Sequence, residues 1–298
     1  MKLDDLVHKP GLMRGQRILI TGGGTGLGRT MVEAMLLLGA QVYICGRREA
    51  VLRETADALN DGHAAHGGRV VPIACDIRDV DAIEAMADAI WADGGALTGL
   101  VNNAAGNFLS RTEDLSPRGF DAVSNIVFRG SFLVTLACGK RWLAAGQKAS
   151  VLSILTTWVW NGSSFTVPSA MSKAGLHAMT QSLAVEWGGR GIRFNAIAPG
   201  LFPTEGMSAR LNPQGGEHRA DGNPMGRTGR MPELANLAVF LMAPGTDYLN
   251  GQTIAIDGGQ YQATGGNFSH MTAWGEGEWQ QARDAARRQS EADRALRG

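Results

Sequence analysis

The sequence has few cysteines, few tyrosines and no excess of either charge. Its three cysteines, Cys45, Cys75 and Cys138, are scattered and form no CxxC pair. This argues against a disulfide framework or a zinc site, and we expect a reducing compartment, the cytoplasm. Lysine plus arginine and aspartate plus glutamate both number 28 in 298 residues. That balance argues against a general nucleic-acid binder or a binder of acidic membranes.

Long apolar runs are missing as well. The N-terminus, MKLDDLVHKPGLMRG, lacks the apolar segment of a secretory signal, and no stretch of about 18 apolar residues predicts a membrane span. Apolar residues still make up 44% of the chain, which is enough for a packed core. The 41 glycines follow no collagen-like period, so we expect them in turns and close backbone approaches.

Short apolar runs alternate with amphipathic stretches along most of the chain. The runs predict strands at 17–20, 41–45, 69–75, 99–104, 149–155, 193–199 and 253–257. The stretches predict helices at 30–40, 49–59, 80–91, 117–143, 168–188 and 232–242. This order predicts one α/β domain over residues 1–298, a Rossmann-type three-layer fold with a seven-stranded parallel sheet.

Two segments fall outside the alternation. Residues 201–230 are rich in glycine, proline and asparagine, and a connection of that length predicts a substrate lid. Residues 265–298 form a C-terminal extension. Its part from 274 onward is polar and charged, and we expect an exposed helix there, either solvated or packed on a neighbouring subunit.

The segment ILITGGGTGLGRTM joins the first predicted strand to the first predicted helix. Gly22, Gly26 and Gly28 are spaced G-xxx-G-x-G. A tight turn, a pyrophosphate close to the backbone and close helix packing all need residues without a Cβ. The helix N-terminus adds unpaired N–H groups for phosphate. The pattern therefore predicts a dinucleotide site, with a purely structural turn as the alternative.

The end of the second strand indicates which dinucleotide binds. The chain reads ICGRRE there, where a site for the unphosphorylated cofactor would have a carboxylate for the ribose hydroxyls. Arg47 and Arg48 instead offer guanidinium groups suited to a 2′-phosphate, and Glu49 suits the start of the next helix. We predict NADP(H). The alternative is that both arginines are simply solvated.

Taken in order, these motifs resemble the short-chain dehydrogenase/reductase family over about residues 14 to 262. TGGGTGLG is similar to the family's cofactor loop, CDI (75–77) to its adenine-binding motif and NNAAG (102–106) to its strand-four motif. PG (199–200) with Thr204 is similar to its nicotinamide loop, and NGQTIAIDGG (250–259) is a typical ending. The cofactor residues that the resemblance implies are Thr21, Gly22, Gly24, Thr25, Gly26, Leu27, Gly28, Arg47, Arg48, Asp76, Ile77, Asn103, Ala104, Ala105, Gly106, Lys173, Pro199, Gly200, Leu201 and Thr204.

The resemblance breaks at the family's catalytic set of Asn, Ser, Tyr and Lys. Lys173 matches the lysine, which in relatives bonds the nicotinamide ribose, and Ser153 matches the serine. Ser169 stands at the tyrosine position and Arg129 at the asparagine position. A positioned acid is worth about 10² to 10⁴ in rate, so ordinary alcohol–ketone chemistry is disfavoured.

Replacement of the motif tyrosine by another tyrosine is not expected. The chain has only Tyr43, Tyr248 and Tyr261, all far along the chain from the helix that carries Lys173.

Within the family, several sequence segments are similar to those of 2,4-dienoyl-CoA reductases. The similar segments are NNAAGNF (102–108), VPSA-x-x-K-AG (167–175), SLAxEWG (182–188) and TEG…SARLNP (204–213). Those enzymes carry serine in place of the motif tyrosine. The resemblance implies reduction, with NADPH, of a conjugated C=C bond in an enoyl- or dienoyl-CoA thioester, with charge stabilised on the thioester oxygen. The alternatives are a ketone/alcohol oxidoreductase with a displaced proton donor, or an NADP(H)-binding protein with little catalysis.

Even that branch would have other residues at two positions. Trp158 and Arg129 stand at the positions whose side chains bind the thioester oxygen in that branch. Trp158 can donate one N–H. Arg129 either stabilises an enolate, points to solvent or pairs with an acid across a subunit interface. The candidate catalytic residues are Lys173, Ser169, Ser153, Arg129 and Trp158. The two tryptophans of WVWNG (158–162) either line a pocket or pack in the core, and His177 is expected to be structural. The family's assembly implies a homotetramer, through the Lys173 helix and the helix before strand five.

Overall fold

Seven strands pair into one sheet in the computed structural model, which describes residues 1–206, 222–264 and 269–295. All six pairings are parallel, in the order β3-β2-β1-β4-β5-β6-β7. The strands are β1 (Arg17–Thr21), β2 (Gln41–Gly46), β3 (Arg69–Ala74), β4 (Gly99–Asn102), β5 (Ala149–Ile154), β6 (Ile192–Pro199) and β7 (Thr253–Ile256). The predicted fold class and all seven predicted strands are confirmed.

Helices connect the strands and cover the sheet. They are α1 (Gly26–Leu37), α2 (Glu49–His63), α3 (Val80–Ala92), α4 (Pro117–Ser124), α5 (Ser131–Ala145), α6 (Trp158–Asn161), α7 (Val167–Gly188), α8 (Met231–Met242), α9 (Gln260–Ala263) and α10 (Glu276–Ala295). The strand order changes direction between β1 and β4, and an open parallel sheet binds its ligands at such a point, beyond the carboxyl ends of the strands.

The first helix begins earlier than the apolar spacing predicts. α1 starts at Gly26 rather than at residue 30, because its first turn contains Gly26 and Gly28, which are poor helix formers but are needed for close packing. It ends as predicted, with Gly39 in the left-handed region at φ +94° just after the C-cap.

Two apolar clusters fill the spaces between the layers. One holds α1, α2 and α8 against the sheet, with Met31, Met35 and Leu241 buried in it. The other holds α3, α5 and α7 against the opposite face, where Trp142 and Leu176 are buried. All three cysteines are free and buried.

The helix before β5 is longer and less regular than predicted. It runs from α4 through a π-helical segment, Asn125–Gly130, into α5. By length and composition alone the run Pro117–Ala145 could cross a membrane. Half of its apolar 18-residue stretch is buried in the protein. Its last part, α5, packs on α3 and α7. Core helices of globular proteins have the same length and composition, and the burial of this run fits such a helix.

The two predicted irregular segments are described only in part. The described ends of the predicted lid are residues 201–206 and 222–230, where Phe202 is buried against Gly229. Residues 207–221, with most of the segment quoted at 204–213, lie outside the described residues. In the C-terminal extension the expected helix is present as α10.

Candidate active site

The glycines of the loop stand where a side chain would not fit or would strain the backbone. Gly22 and Gly26 have φ of +66° and +54°, in the left-handed region that favours glycine. A Cβ on Gly28 would lie 2.3 Å from the Gly22 carbonyl oxygen. Thr21 fixes the loop from below, since its Oγ1 accepts from the backbone N–H groups of Asn103 and Ala104, each at 3.0 Å. The loop therefore has the backbone geometry that a bound pyrophosphate requires.

Three contiguous cavities follow the carboxyl edge of the sheet. The arginine cavity, about 280 Å³, is lined by Arg47 and Arg48, and the lysine cavity, about 640 Å³, is lined by Lys173. Between them lies the loop cavity, about 950 Å³, at the start of α1. Gly24, Thr25 and Arg48 line both the first and the middle cavity, while Thr25, Ala105 and Ser169 line both the middle and the last.

Nearly all of the predicted cofactor residues line these cavities. Thr21 is the exception, because it is fully buried and supports the loop. Those lining them are Gly22, Gly24, Thr25, Gly26, Leu27, Gly28, Arg47, Arg48, Asp76, Ile77, Asn103, Ala104, Ala105, Gly106, Lys173, Pro199, Gly200, Leu201 and Thr204. The residues predicted for the two ends of an extended dinucleotide thus line one groove.

The electrostatics of the arginine cavity depend on which charges are already paired. Glu49, the nearest acid in the chain, accepts a hydrogen bond from Arg53 at 2.5 Å. Arg47 and Arg48 are exposed and make no side-chain hydrogen bond within the described residues. Two guanidinium groups are therefore available at the rim for an anion, while Glu49 is paired with Arg53.

Asp76 lies in the same cavity and is held by its neighbour. Its carboxylate accepts from the Arg78 side chain at 2.5 to 3.0 Å and from the Arg78 backbone N–H at 3.0 Å. These bonds lower the pKa of Asp76, chiefly through the side chain of Arg78. The carboxylate is ionised and fixed at the cavity wall.

Lys173 is the charged group among the described residues that line the lysine cavity. It lies on α7 and is buried, and its Nζ donates a hydrogen bond to the Ile154 carbonyl at the end of β5. Burial lowers the pKa of Lys173 from 10.5 to about 8. The ammonium group consequently exchanges its proton much nearer to neutral pH than an exposed lysine does.

Two of the other predicted catalytic residues share this cavity. Ser169 is 5% exposed, one turn of α7 before Lys173, and its hydroxyl makes no hydrogen bond within the described residues. Trp158, on the short helix α6, is partly buried and its indole N–H is likewise without a partner in the described part of the chain. Both can offer a hydrogen bond to a ligand oxygen.

The assignment of Ser153 to the catalytic set is not supported by its position. Ser153 lies inside β5 at 1% exposure and is not among the residues lining the lysine cavity; its hydroxyl has no partner in the described part of the protein. Thr156 and Thr157, just beyond the carboxyl end of β5, line the cavity instead. The resemblance to the family points to a serine within the strand, whereas the residues that line the cavity follow the strand.

Arg129 is also outside the cavity. It is exposed in the π-helical segment, and its Nη1 donates to the carbonyl oxygen of Arg78 at 2.8 Å. Within one chain Arg129 faces away from the cavity, and it joins the helix before β5 to the segment that holds Asp76.

One of the three tyrosines lies in the lysine cavity, although all three are far along the chain from the helix that carries Lys173. Tyr43 is buried and hydrogen-bonded to Asp93 at 2.8 Å, and Tyr248 is 105% exposed. Tyr261, however, lies on α9 and lines the lysine cavity. Distance along the chain is a poor guide here, because β7 pairs with β6 and places the residues after it beside the end of α6.

The second tryptophan and His177 support the wall of the cavity. The Trp160 ring lies 4.7 Å from that of Tyr261 and 6.2 Å from that of His177, between ring centroids. His177 Nδ1 is 3.0 Å from Thr253 Oγ1, and burial lowers the pKa of the imidazole. This is consistent with the structural role expected for the histidine.

Known proteins share both the sequence and the fold. A family described as Enoyl-(Acyl carrier protein) reductase matches residues 22–261. An uncharacterized oxidoreductase of Caenorhabditis elegans is 41% identical, over 93% of this chain and 90% of its own. A probable 2,4-dienoyl-CoA reductase of the same organism, described as (3E)-enoyl-CoA-producing, is 39% identical over 92% and 90%. The structure of a citronellol catabolism dehydrogenase from Pseudomonas aeruginosa superposes with a TM-score of 0.75 at 33% identity, covering 87% of this chain and all of the other.

Proposed function

The chain is an oxidoreductase of the short-chain dehydrogenase/reductase family, and we propose that it uses NADPH to reduce a conjugated C=C bond in an enoyl- or dienoyl-CoA thioester. One observation carries the proposal. The lysine cavity keeps Lys173 but has Ser169 where a tyrosine acid would stand, as expected for the dienoyl-CoA branch. The likeness to a probable 2,4-dienoyl-CoA reductase supports the same reading.

The residues lining the three cavities support this use of NADPH. When bound, NADPH supplies a hydride to the substrate. Arg47 and Arg48 would hold its 2′-phosphate, the amide groups of the glycine loop its pyrophosphate, and Lys173 its nicotinamide ribose. Glu49 is paired with Arg53, so neither Arg47 nor Arg48 is engaged by it, which supports the phosphorylated cofactor.

The substrate's acyl group would occupy the rest of the lysine cavity. Its walls are apolar at Leu155, Leu201 and Phe202, which suits a hydrocarbon chain. Hydroxyl and indole N–H donors at Thr156, Trp158 and Ser169 face the same space. Donors of this kind stabilise the negative charge that develops on a thioester oxygen when a conjugated system is reduced.

We propose a homotetramer in the cytoplasm. Exposed apolar side chains lie on the two predicted interface helices: Phe128 and Phe132 in the run before β5, and Met171 and Val185 on α7. Phe128 also packs on Gly175 of α7, so the two helices form one surface. A contiguous apolar surface of this kind favours association.

The cofactor proposal is tested by removing the cationic rim. The double substitution Arg47→Ala/Arg48→Ala should weaken NADPH binding about 10- to 100-fold and leave NADH binding nearly unchanged, because charge-assisted bonds to the 2′-phosphate are lost. Arg190→Ala, an exposed arginine at the opposite edge of the sheet, is the control. Equal losses for both cofactors, measured by fluorescence titration, would show that the arginines do not read the phosphate.

The reaction is tested with a substrate panel. NADPH oxidation is followed with 2,4-dienoyl-CoA, 2-enoyl-CoA and 3-ketoacyl-CoA esters of matched chain length. We expect turnover of a conjugated C=C substrate and little of the ketone. Turnover confined to the ketone would favour the alternative oxidoreductase, and NADPH binding without turnover of any ester would favour a weakly catalytic protein.

A further inference from the structure

The lysine cavity contains two titratable side chains among the described residues, Lys173 and Tyr261. Its remaining lining consists of apolar, amide, hydroxyl, indole and glycine residues. Reduction of a conjugated system needs one proton delivered to carbon for each hydride. The serine at the motif position is no substitute for a phenol, since an aliphatic hydroxyl is a far weaker acid.

Tyr261 is fixed in place through its backbone. Asp257, 8% exposed, accepts a hydrogen bond from the Tyr261 N–H at 2.7 Å and from the Gly259 N–H at 3.0 Å. Asp257 in turn packs on Gly200, where a Cβ would lie only 2.7 Å away. Because Pro199 and Gly200 line the same cavity, this contact ties α9 to the end of β6.

The side chain of Tyr261 is also positioned. Its ring lies on that of Trp160, with 4.7 Å between the centroids and 32° between the planes. Asn161 and Thr264 are hydrogen-bonded at 3.1 Å and join α6 to the end of α9. The Tyr261 hydroxyl makes no hydrogen bond to any residue that the structure describes, although the ring and the backbone are held. A phenol held in this way, with its hydroxyl left unpaired, suits a ligand contact.

We propose that Tyr261 is the acid that protonates the reduced acyl chain. It lies outside the motif and replaces the absent motif tyrosine as proton donor. The inference rests on the proposed function. After hydride addition at the δ-carbon, the electron pair of the enolate forms a C–H bond at the α-carbon with the proton of Tyr261. The tyrosine O–H bond breaks, and the phenolate regains a proton from water. Protonation at the α-carbon leaves the remaining double bond between carbons 3 and 4.

The test keeps the ring and removes the hydroxyl. Tyr261→Phe should lower kcat for a 2,4-dienoyl-CoA by about 10² to 10⁴, the range for a lost positioned acid. NADPH binding and binding of a saturated acyl-CoA should change less than threefold or so, since Trp160 retains its ring contact. Tyr248→Phe, which alters a fully exposed tyrosine, is the matched control and should be unaffected.

A second substitution separates acidity from packing. Site-specific Tyr261→3-fluorotyrosine keeps the shape and makes the phenol more acidic, so the alkaline limb of the pH–rate profile should move to lower pH. A tyrosine with only a structural role would not move it. This inference alone would be overturned if Tyr261→Phe kept the wild-type kcat and the fluorinated enzyme kept the wild-type pH–rate profile. A wild type that binds NADPH but reduces no dienoyl-CoA would overturn the proposed function as well.

Discussion

Replacing Lys173 by methionine tests the physical state of the lysine cavity without any substrate. The substitution removes the ammonium group but keeps a long apolar side chain on α7. Its hydrogen bond to the Ile154 carbonyl is lost at every pH, so that loss cancels when the two proteins are compared across pH. What does not cancel is the cost of holding a charge in a buried site.

The magnitude follows from the pKa of Lys173, which burial lowers from 10.5 to about 8. That difference corresponds to about 3 kcal/mol. Below pH 8 both the native and the unfolded chain hold the proton, and the full cost is present. Between pH 8 and 10.5 the unfolded chain keeps a proton that the native chain has released, so the wild type gains stability as pH rises. Above that window the cost is gone.

Urea unfolding of the cofactor-free proteins at pH 7 and pH 10 measures this gain. The free energy of unfolding of the wild type, relative to Lys173→Met, should increase by about 2 to 3 kcal/mol between the two pH values. Lys140→Met removes an exposed lysine from α5 and is the control for lost charge. A difference between the wild type and Lys173→Met that stays constant from pH 7 to pH 10 would refute a depressed pKa at Lys173.

Three further changes have defined outcomes. Gly28→Ala should lower stability by about 1 to 3 kcal/mol and abolish NADPH binding, because the new Cβ meets the Gly22 carbonyl at 2.3 Å; Gly62→Ala, with open space around it, should do neither. Met171→Asp on the apolar face of α7 should shift the protein to smaller assemblies in analytical ultracentrifugation, and an unchanged mass would argue against that interface. Trp158→Phe removes one N–H donor and should lower kcat about 10²-fold with NADPH affinity retained; Trp91→Phe, on α3 away from the cavity, is its control.

The cofactor side of the groove was predictable from sequence because it is local. A strand, a glycine turn and a helix follow one another within about 20 residues, and the positions of Gly22, Gly26 and Gly28 depend on backbone geometry that the spacing itself expresses. Lys173 was predictable for a similar reason, since the helix containing it forms as expected and fixes its distance from the sheet.

The substrate side was less predictable because it depends on contacts between distant segments. Every residue of β5 is buried, so a serine in this strand says little about which residue beyond its end reaches the cavity. Thr156 lines the cavity and Ser153 does not. Arg129 lies within the π-helical segment, whose turns are wider than those of an α-helix, and its side chain donates to the Arg78 carbonyl. Tyr261 joins Lys173 only through the pairing of β7 with β6.

The most direct measurement follows the hydride and the proton in one experiment. The wild-type protein is given a 2,4-dienoyl-CoA with NADPH deuterated at the transferable position, and the product is analysed by mass spectrometry and NMR. The account predicts one deuterium at carbon 5 and a 3-enoyl-CoA product, with solvent hydrogen at carbon 2. No transfer of deuterium to any acyl-CoA, with the labelled NADPH bound, would contradict the proposed reaction.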